Sequence, residues 1–200
     1  MEVLFAHGFE GKPNGSKPTF MKENLGWNVT APVMSSLGWG ISDQTKVLID
    51  EMEKTSFDLI IGSSMGGLAV ANASAIKENH DCKLILIAPA FGLYDNLLER
   101  LTEEELELWE RLDRRRYVGF EHDILLPWSY MEQAKDMSWT VPHHKTIIIH
   151  GISDDIVPIQ SSRKISQMSD LIDLHEIEDN HRMKKSLQVL EEVVSTLMSS

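Results

Sequence analysis

The sequence predicts an α/β architecture with a mostly parallel sheet, and three observations carry that prediction. Short apolar runs recur at Val3–Ala6, Trp27–Ala31, Phe57–Ile61, Leu84–Ala88, Thr146–His150 and Asp173–Ile177. Nearly all are continuous rather than alternating, as suits strands covered on both faces by helices. The stretches between them carry helical signals. Ser42 can cap a helix running to about Thr55, and the tail from Lys184 repeats apolar residues at Leu187, Leu190, Val193, Val194 and Leu197.

A chain of 200 residues argues for one domain spanning 1–200. At this size a folded chain buries roughly 70% of its unfolded surface and needs no disulfide or metal to hold it together. The single cysteine, Cys82, excludes an internal disulfide or a cysteine zinc site, and cytoplasmic residence is the simplest expectation. The net charge is −12 and the longest basic run is Arg114–Arg116, so no nucleic-acid partner is expected. The apolar stretch Leu84–Gly92 is less than half of the roughly 20 residues a membrane span needs, and Met1–Gly8 reads as a strand rather than a signal peptide. No membrane partner is expected either.

The interval from Phe91 to Trp139 breaks the alternation and reads as a helical cap insertion over residues 91–139. Thr102 with Glu105 forms a capping box, while Glu107 with Arg111 and Glu110 with Arg114 sit at helical spacing. These charges read first as a solvated face. The aromatics Trp109, Tyr117, Phe120, Trp128 and Tyr130 can serve the insertion's own packing or line a pocket.

Gly62-Ser63-Ser64-Met65-Gly66 follows an apolar strand and opens a small-residue helix. A sharp strand-to-helix turn crowds the backbone, so the positions two before and two after its central residue must lack side chains. Ser64 meets both conditions; Ser63 does not, because Ile61 and Met65 would fill those places. The turn leaves a serine hydroxyl at a helix N-terminus, where free N–H groups favour developing negative charge.

A serine nucleophile needs a base. In an open parallel sheet, groups at the carboxyl ends of strands meet over one crevice, which selects His7, His150 and His181. His7 and His150 each precede a glycine at a strand end, where a buried structural histidine is the usual outcome. His181 lies in the polar loop Glu178–Arg182 and can project over the site. The acid that orients it is expected at Asp154, with Asp155 as rival, within the turn-rich segment His150–Pro158. A metal hydrolase on His7, His143, His144 or His150 is a weaker alternative, since no carboxylate stands at metal-ligand spacing.

With these residues in view, the chain resembles a compact member of the α/β-hydrolase superfamily, among the small serine esterases and lipase-like hydrolases. The resemblance rests on His7-Gly8-Phe9, Gly62–Gly66, His150–Pro158 and Asp179–Arg182, in that order. It implies a shortened sheet of about six strands, a cap matching 91–139, and the family's acid at Asp154. It also implies oxyanion-hole amides at Phe9 and Met65, no cofactor and no metal. The implied activity is hydrolysis of small to medium carboxylic esters by a Ser64–His181–Asp154 triad through an acyl-enzyme. A thioesterase, an amidase or a non-catalytic small-molecule receptor would use the same scaffold. Trp39, Phe91, Trp109 and Trp128 are the expected pocket walls.

Overall fold

The computed structural model describes residues 1–120 and 122–199. Six strands, β1 (Glu2–Ala6), β2 (Asn28–Thr30), β3 (Leu59–Ser63), β4 (Lys83–Ile87), β7 (Thr146–Gly151) and β8 (Ile172–Ile177), form one parallel sheet in the order β2-β1-β3-β4-β7-β8. All six runs expected from the sequence are present. The helices are α1 (Ser16–Glu23), α2 (Ile41–Lys54), α3 (Met65–Ile76), α4 (Leu93–Arg100), α5 (Glu103–Leu112), α6 (Ser129–Met137), α7 (Ile159–Ser166) and α8 (Ser186–Ser199).

Period-two alternation divides each strand between two cores. In β1, Val3 and Phe5 join Leu59, Ile61, Ile85 and Ile149 under Met21 of α1 and Leu190, Val193 and Leu197 of α8. Leu4 and Ala6 turn to the other face, with Leu84, Leu86 and Ile148 under α2, α3, α6 and α7. Continuous apolar strands are required because both faces are dry. No helix among the described residues is long and apolar enough to cross a membrane.

The segment between β4 and β7 holds α4, α5, an antiparallel hairpin of β5 (Arg115–Val118) and β6 (Asp123–Leu126), and α6. The Thr102–Glu105 capping box forms at the start of α5. The hairpin corrects the wholly helical expectation for this interval. It pairs through Arg115↔Leu126 and Tyr117↔Ile124, with Tyr117 and Ile124 turned inward and Val118 and Leu125 exposed. α2 starts two residues earlier than expected, its N-cap at Gly40, whose amide donates to Asp43, rather than at Ser42.

Candidate active site

β3 ends at Ser63, and the chain turns into α3 through Ser64, whose φ of 55° and ψ of −120° lie outside the ordinary regions for an L-residue. Such a conformation costs about 1–3 kcal/mol and persists only where the surroundings enforce it. Both flanking glycines are obligatory. A Cβ on Gly62 would stand 2.5 Å from the Gly66 carbonyl oxygen, and one on Gly66 would stand 2.3 Å from the Ala6 oxygen. Ser64 is thereby pinned between β1 and β4, its amide donating to the Ile87 carbonyl.

Three strand ends converge on that serine. His181, from the loop after β8, places Nε2 3.0 Å from Ser64 Oγ and Nδ1 2.8 Å from Asp154 Oδ2. A carboxylate oxygen accepts, so the ring proton sits on Nδ1 and Nε2 is left to accept from the serine hydroxyl. Asp154, in the loop after β7, has a fully buried side chain, whereas Asp155 is exposed and takes no part. Close approach of the two loops depends on Gly151, where a Cβ would meet the Asp179 carbonyl oxygen at 2.4 Å.

The Asp154 carboxylate is saturated. Oδ1 accepts from the Ile156 and Val157 amides at 2.9 and 2.8 Å, while Oδ2 accepts from His181 and also from His150 Nε2 at 3.1 Å. Burial alone would raise its pKa, but the hydrogen bonds from His150, His181 and Val157 outweigh burial and hold it well below the usual carboxylate range. His150 is itself completely buried. Its Nε2 faces two acceptors, Asp154 Oδ2 and the Val157 carbonyl at 3.0 Å, so it carries its proton there and Nδ1 accepts from the Ser162 hydroxyl at 2.7 Å. The structural expectation for His150 omitted this link to the acid. Its sequence signal was the four-residue spacing between His150 and Asp154 across a strand end.

The loop after β1 approaches from the other side. Gly8 lies against Ser64, since a Cβ there would stand 3.1 Å from Ser64 Cβ. His7 is buried, with Nδ1 donating to the Gly8 carbonyl at 2.9 Å and Nε2 accepting from the Met34 amide at 3.3 Å. Burial keeps its pKa below the ordinary histidine value, opposed by the Gly8 bond. The Phe9 ring packs against Trp39 and Tyr117, each at 5.0 Å, and Glu10 beside it accepts from the Tyr117 hydroxyl. Met65 is the first residue of α3, where backbone N–H groups have no helical acceptor. Phe9 and Met65 border the same cavity as Ser64.

That cavity encloses about 150 Å³. α4 forms one wall through Leu93, Asn96, Leu97 and Arg100, and the acid loop forms another through Ile156 and Val157. The four aromatics expected as walls stand elsewhere. Phe91 is wholly buried in the core, Trp109 is 1% exposed and donates Nε1 to the Leu126 carbonyl, and Trp128 packs edge-on against Trp109. Trp39 supports Phe9 from behind. Large rings gain most from burial, and the core on this face of the sheet takes Phe91 and Trp109, with Trp39 and Trp128 packed against it. Leu93 and Leu97, spaced like any amphipathic helix face, gave no separate signal.

The remaining histidines are dispersed: His143 pairs with Glu78, and His144 hydrogen-bonds Ser74 and the His80 carbonyl. Among the described residues no group of three or more His, Cys, Asp or Glu side chains is arranged to hold a metal ion.

The fold is shared with solved structures of low sequence identity. Mouse α/β-hydrolase domain-containing protein 10 superposes with a TM-score of 0.79 at 22% identity, over 99% of this chain and 89% of that one. A hydrolase from Agrobacterium vitis S4 gives 0.81 at 17% identity, over 98% and 87%. Est1E from Butyrivibrio proteoclasticus gives 0.76 at 20% identity, over 98% and 86%. No curated protein matches the chain in sequence. The family model described as "Uncharacterised protein family (UPF0227)" matches residues 2–198, so the chain belongs to that family, and it is built on the α/β-hydrolase fold.

Proposed function

We propose that the protein is a serine hydrolase of carboxylic esters, a single domain whose segment 91–139 caps the site. The observation that carries this reading is the continuous chain from Ser64 Oγ through His181 to Asp154, at 3.0 and 2.8 Å, opening into an apolar cavity. Ser64 Oγ bonds to the ester carbonyl carbon while its proton passes to His181 Nε2. The Phe9 and Met65 amides hold the resulting oxyanion; one such donor is worth about 100- to 1,000-fold in rate. As the tetrahedral species collapses, the carbon–oxygen bond to the alcohol breaks and the alcohol leaves with the proton from His181. Water then attacks the acyl-enzyme, giving its proton to His181, and Ser64 leaves with that proton as the free acid departs. Asp154 keeps His181 in the tautomer each step needs and stabilises the imidazolium between them.

The esterase reading agrees with the kinds of protein that share the fold, among them Est1E, crystallised with ferulic acid, and a monoacylglycerol lipase from Paleococcus ferrophilus. A reducing, cytoplasmic setting agrees with Cys82, which is free and buried. The test is intact-mass analysis after fluorophosphonate treatment, alongside hydrolysis of nitrophenyl acetate and butyrate. One adduct on the wild type, lost together with turnover in Ser64→Ala, is the expected result. An adduct that persists in Ser64→Ala overturns the choice of nucleophile, and a folded wild type with neither adduct nor turnover overturns the reading.

A further inference from the structure

α4 buries none of its eight residues. Leu93, Asn96, Leu97 and Arg100 fall at i, i+3, i+4 and i+7, a single helix face that borders the cavity at Ser64, its two leucines also resting against the core. Two of the four are polar. Asn96 and Arg100 lie one turn apart, about 6 Å along the helix axis, and a single small group can meet both.

Among the described residues, neither has its full set of hydrogen-bond partners. The Asn96 side-chain amide makes no hydrogen bond among the described residues. Arg100 has no carboxylate partner among them, and only its Nη2 is engaged, donating to the Ile156 carbonyl at 2.8 Å and the Asp155 carbonyl at 3.4 Å. These tethers aim the guanidinium from α4 across to the loop that carries Asp154, and leave Nε and Nη1 without acceptors among the described residues. A neutral aliphatic substrate filling this cavity would cover the half-buried Asn96 amide and the cavity side of the exposed Arg100 guanidinium without offering either an acceptor. A guanidinium fork beside an amide is the donor set that matches a planar carboxylate or a phosphate. In a chain of net charge −12, an anionic substrate also needs a local cation to overcome the general repulsion.

We propose that Arg100 and Asn96 form an anion subsite, so that the preferred substrates are esters carrying a second, anionic oxygen group, carboxylate or phosphate, away from the scissile bond. This rests on the serine-hydrolase reading for the chemistry and on α4 alone for the recognition.

The test compares matched ester pairs that differ only in a terminal group, carboxylate against carboxamide, in short series with that group on the acyl side and then on the alcohol side. A third series carries a terminal phosphonate. The expected result is a kcat/KM ratio of roughly ten- to hundredfold in favour of the anionic member of at least one series, the size of a charge-assisted hydrogen-bond pair. Whichever series shows it identifies the source of the anion. In Arg100→Gln the ratio falls toward one, whatever happens to the neutral member, and Arg100→Lys recovers part of it. Calorimetry of the same pairs as non-hydrolysable amides on Ser64→Ala reads the subsite without turnover, so failure of the nucleophile assignment and failure of the subsite are separable. Equal binding within every pair, or an anionic preference that survives in Arg100→Gln, overturns the proposal.

Discussion

α3 and α4 stand on opposite sides of the same cavity and are built on opposite terms. α3 buries ten of its twelve residues and carries the nucleophile at its first turn, wedged by backbone contacts at Gly62 and Gly66. α4 buries none of eight, and its half-buried leucines share their contacts between the core and the cavity. On α3, stability and chemistry are coupled, because the packing that folds the protein also strains Ser64 into place. On α4 they are separable, and that is where substrate preference can change without cost to the fold.

The largest expected effect isolates the strain. Ser64→Gly removes the nucleophile and fits a backbone that glycine adopts freely, so ester turnover falls by about 10⁴-fold or more while stability rises by about 1–2 kcal/mol. Thermal melting beside steady-state rates checks both; a less stable variant would mean that the elbow holds no strain. Next, Gly66→Ala drives a methyl into the Ala6 and His7 carbonyls and is expected to cost about 3 kcal/mol or more, since backbone cannot yield as a side chain can. Urea denaturation measures it. A loss below about 1 kcal/mol would show the α3 end to be as forgiving as α4.

The acid side of the site gives two intermediate effects. His150→Ala leaves Asp154 Oδ2 short of a donor and the Ser162 hydroxyl without an acceptor, and kcat is expected to fall about 10-fold or more, with a stability loss of about 1–3 kcal/mol. His150→Gln, which can still donate from its amide, recovers part of the rate. A rate drop unchanged by that rescue would leave His150 a packing residue only. The second effect is on pH. The folded pKa of Asp154 lies below its unfolded value, so the unfolded chain binds more protons as the solution acidifies. The stabilisation is complete above the ordinary aspartate pKa of roughly 3.9 and is lost as pH falls toward the folded value. Asp154→Asn should therefore show a shallower fall in stability below about pH 4 than the wild type, read from denaturation midpoints across pH.

Physical reasons separate what the sequence made legible from what it did not. The four inner strands were readable because burial on both faces leaves nearly unbroken apolar runs, while the edge strands β2 and β8 carry polar residues on their exposed positions. Ser64 was readable because Gly62 and Gly66 answer a backbone clash that no other residue resolves. Asp154 and His181 followed from strand ends that a parallel sheet must bring to one edge. The hairpin was missed because Arg115–Val118 and Asp123–Leu126 are only four residues each and lie in a charged run that reads as helix. None of the four expected aromatics borders the cavity at Ser64, because ring size predicts burial and not which cavity is lined; Trp109 and Phe91 obeyed the hydrophobic effect inside the core.

The smallest expected effect tests the contrast most directly. Leu97 is only half-buried on α4 and touches the cavity, whereas Leu68 on α3 is fully buried. Leu68→Ala deletes packed core atoms and should cost about 2–5 kcal/mol. Leu97→Ala removes half-buried atoms that are only partly packed, so less cavity is newly created and the loss should stay well below that of Leu68→Ala. What changes instead is the room beside Ser64. Each methylene buried there is worth about 0.8 kcal/mol, close to fourfold, so the optimum in a nitrophenyl acyl series from acetate to octanoate should move to longer chains and individual ratios should change several-fold. Melting temperatures and kcat/KM across that series are the measurements. If Leu97→Ala melts as low as Leu68→Ala with an unmoved chain-length optimum, α4 is a structural helix like α3 and the division of labour between them does not exist.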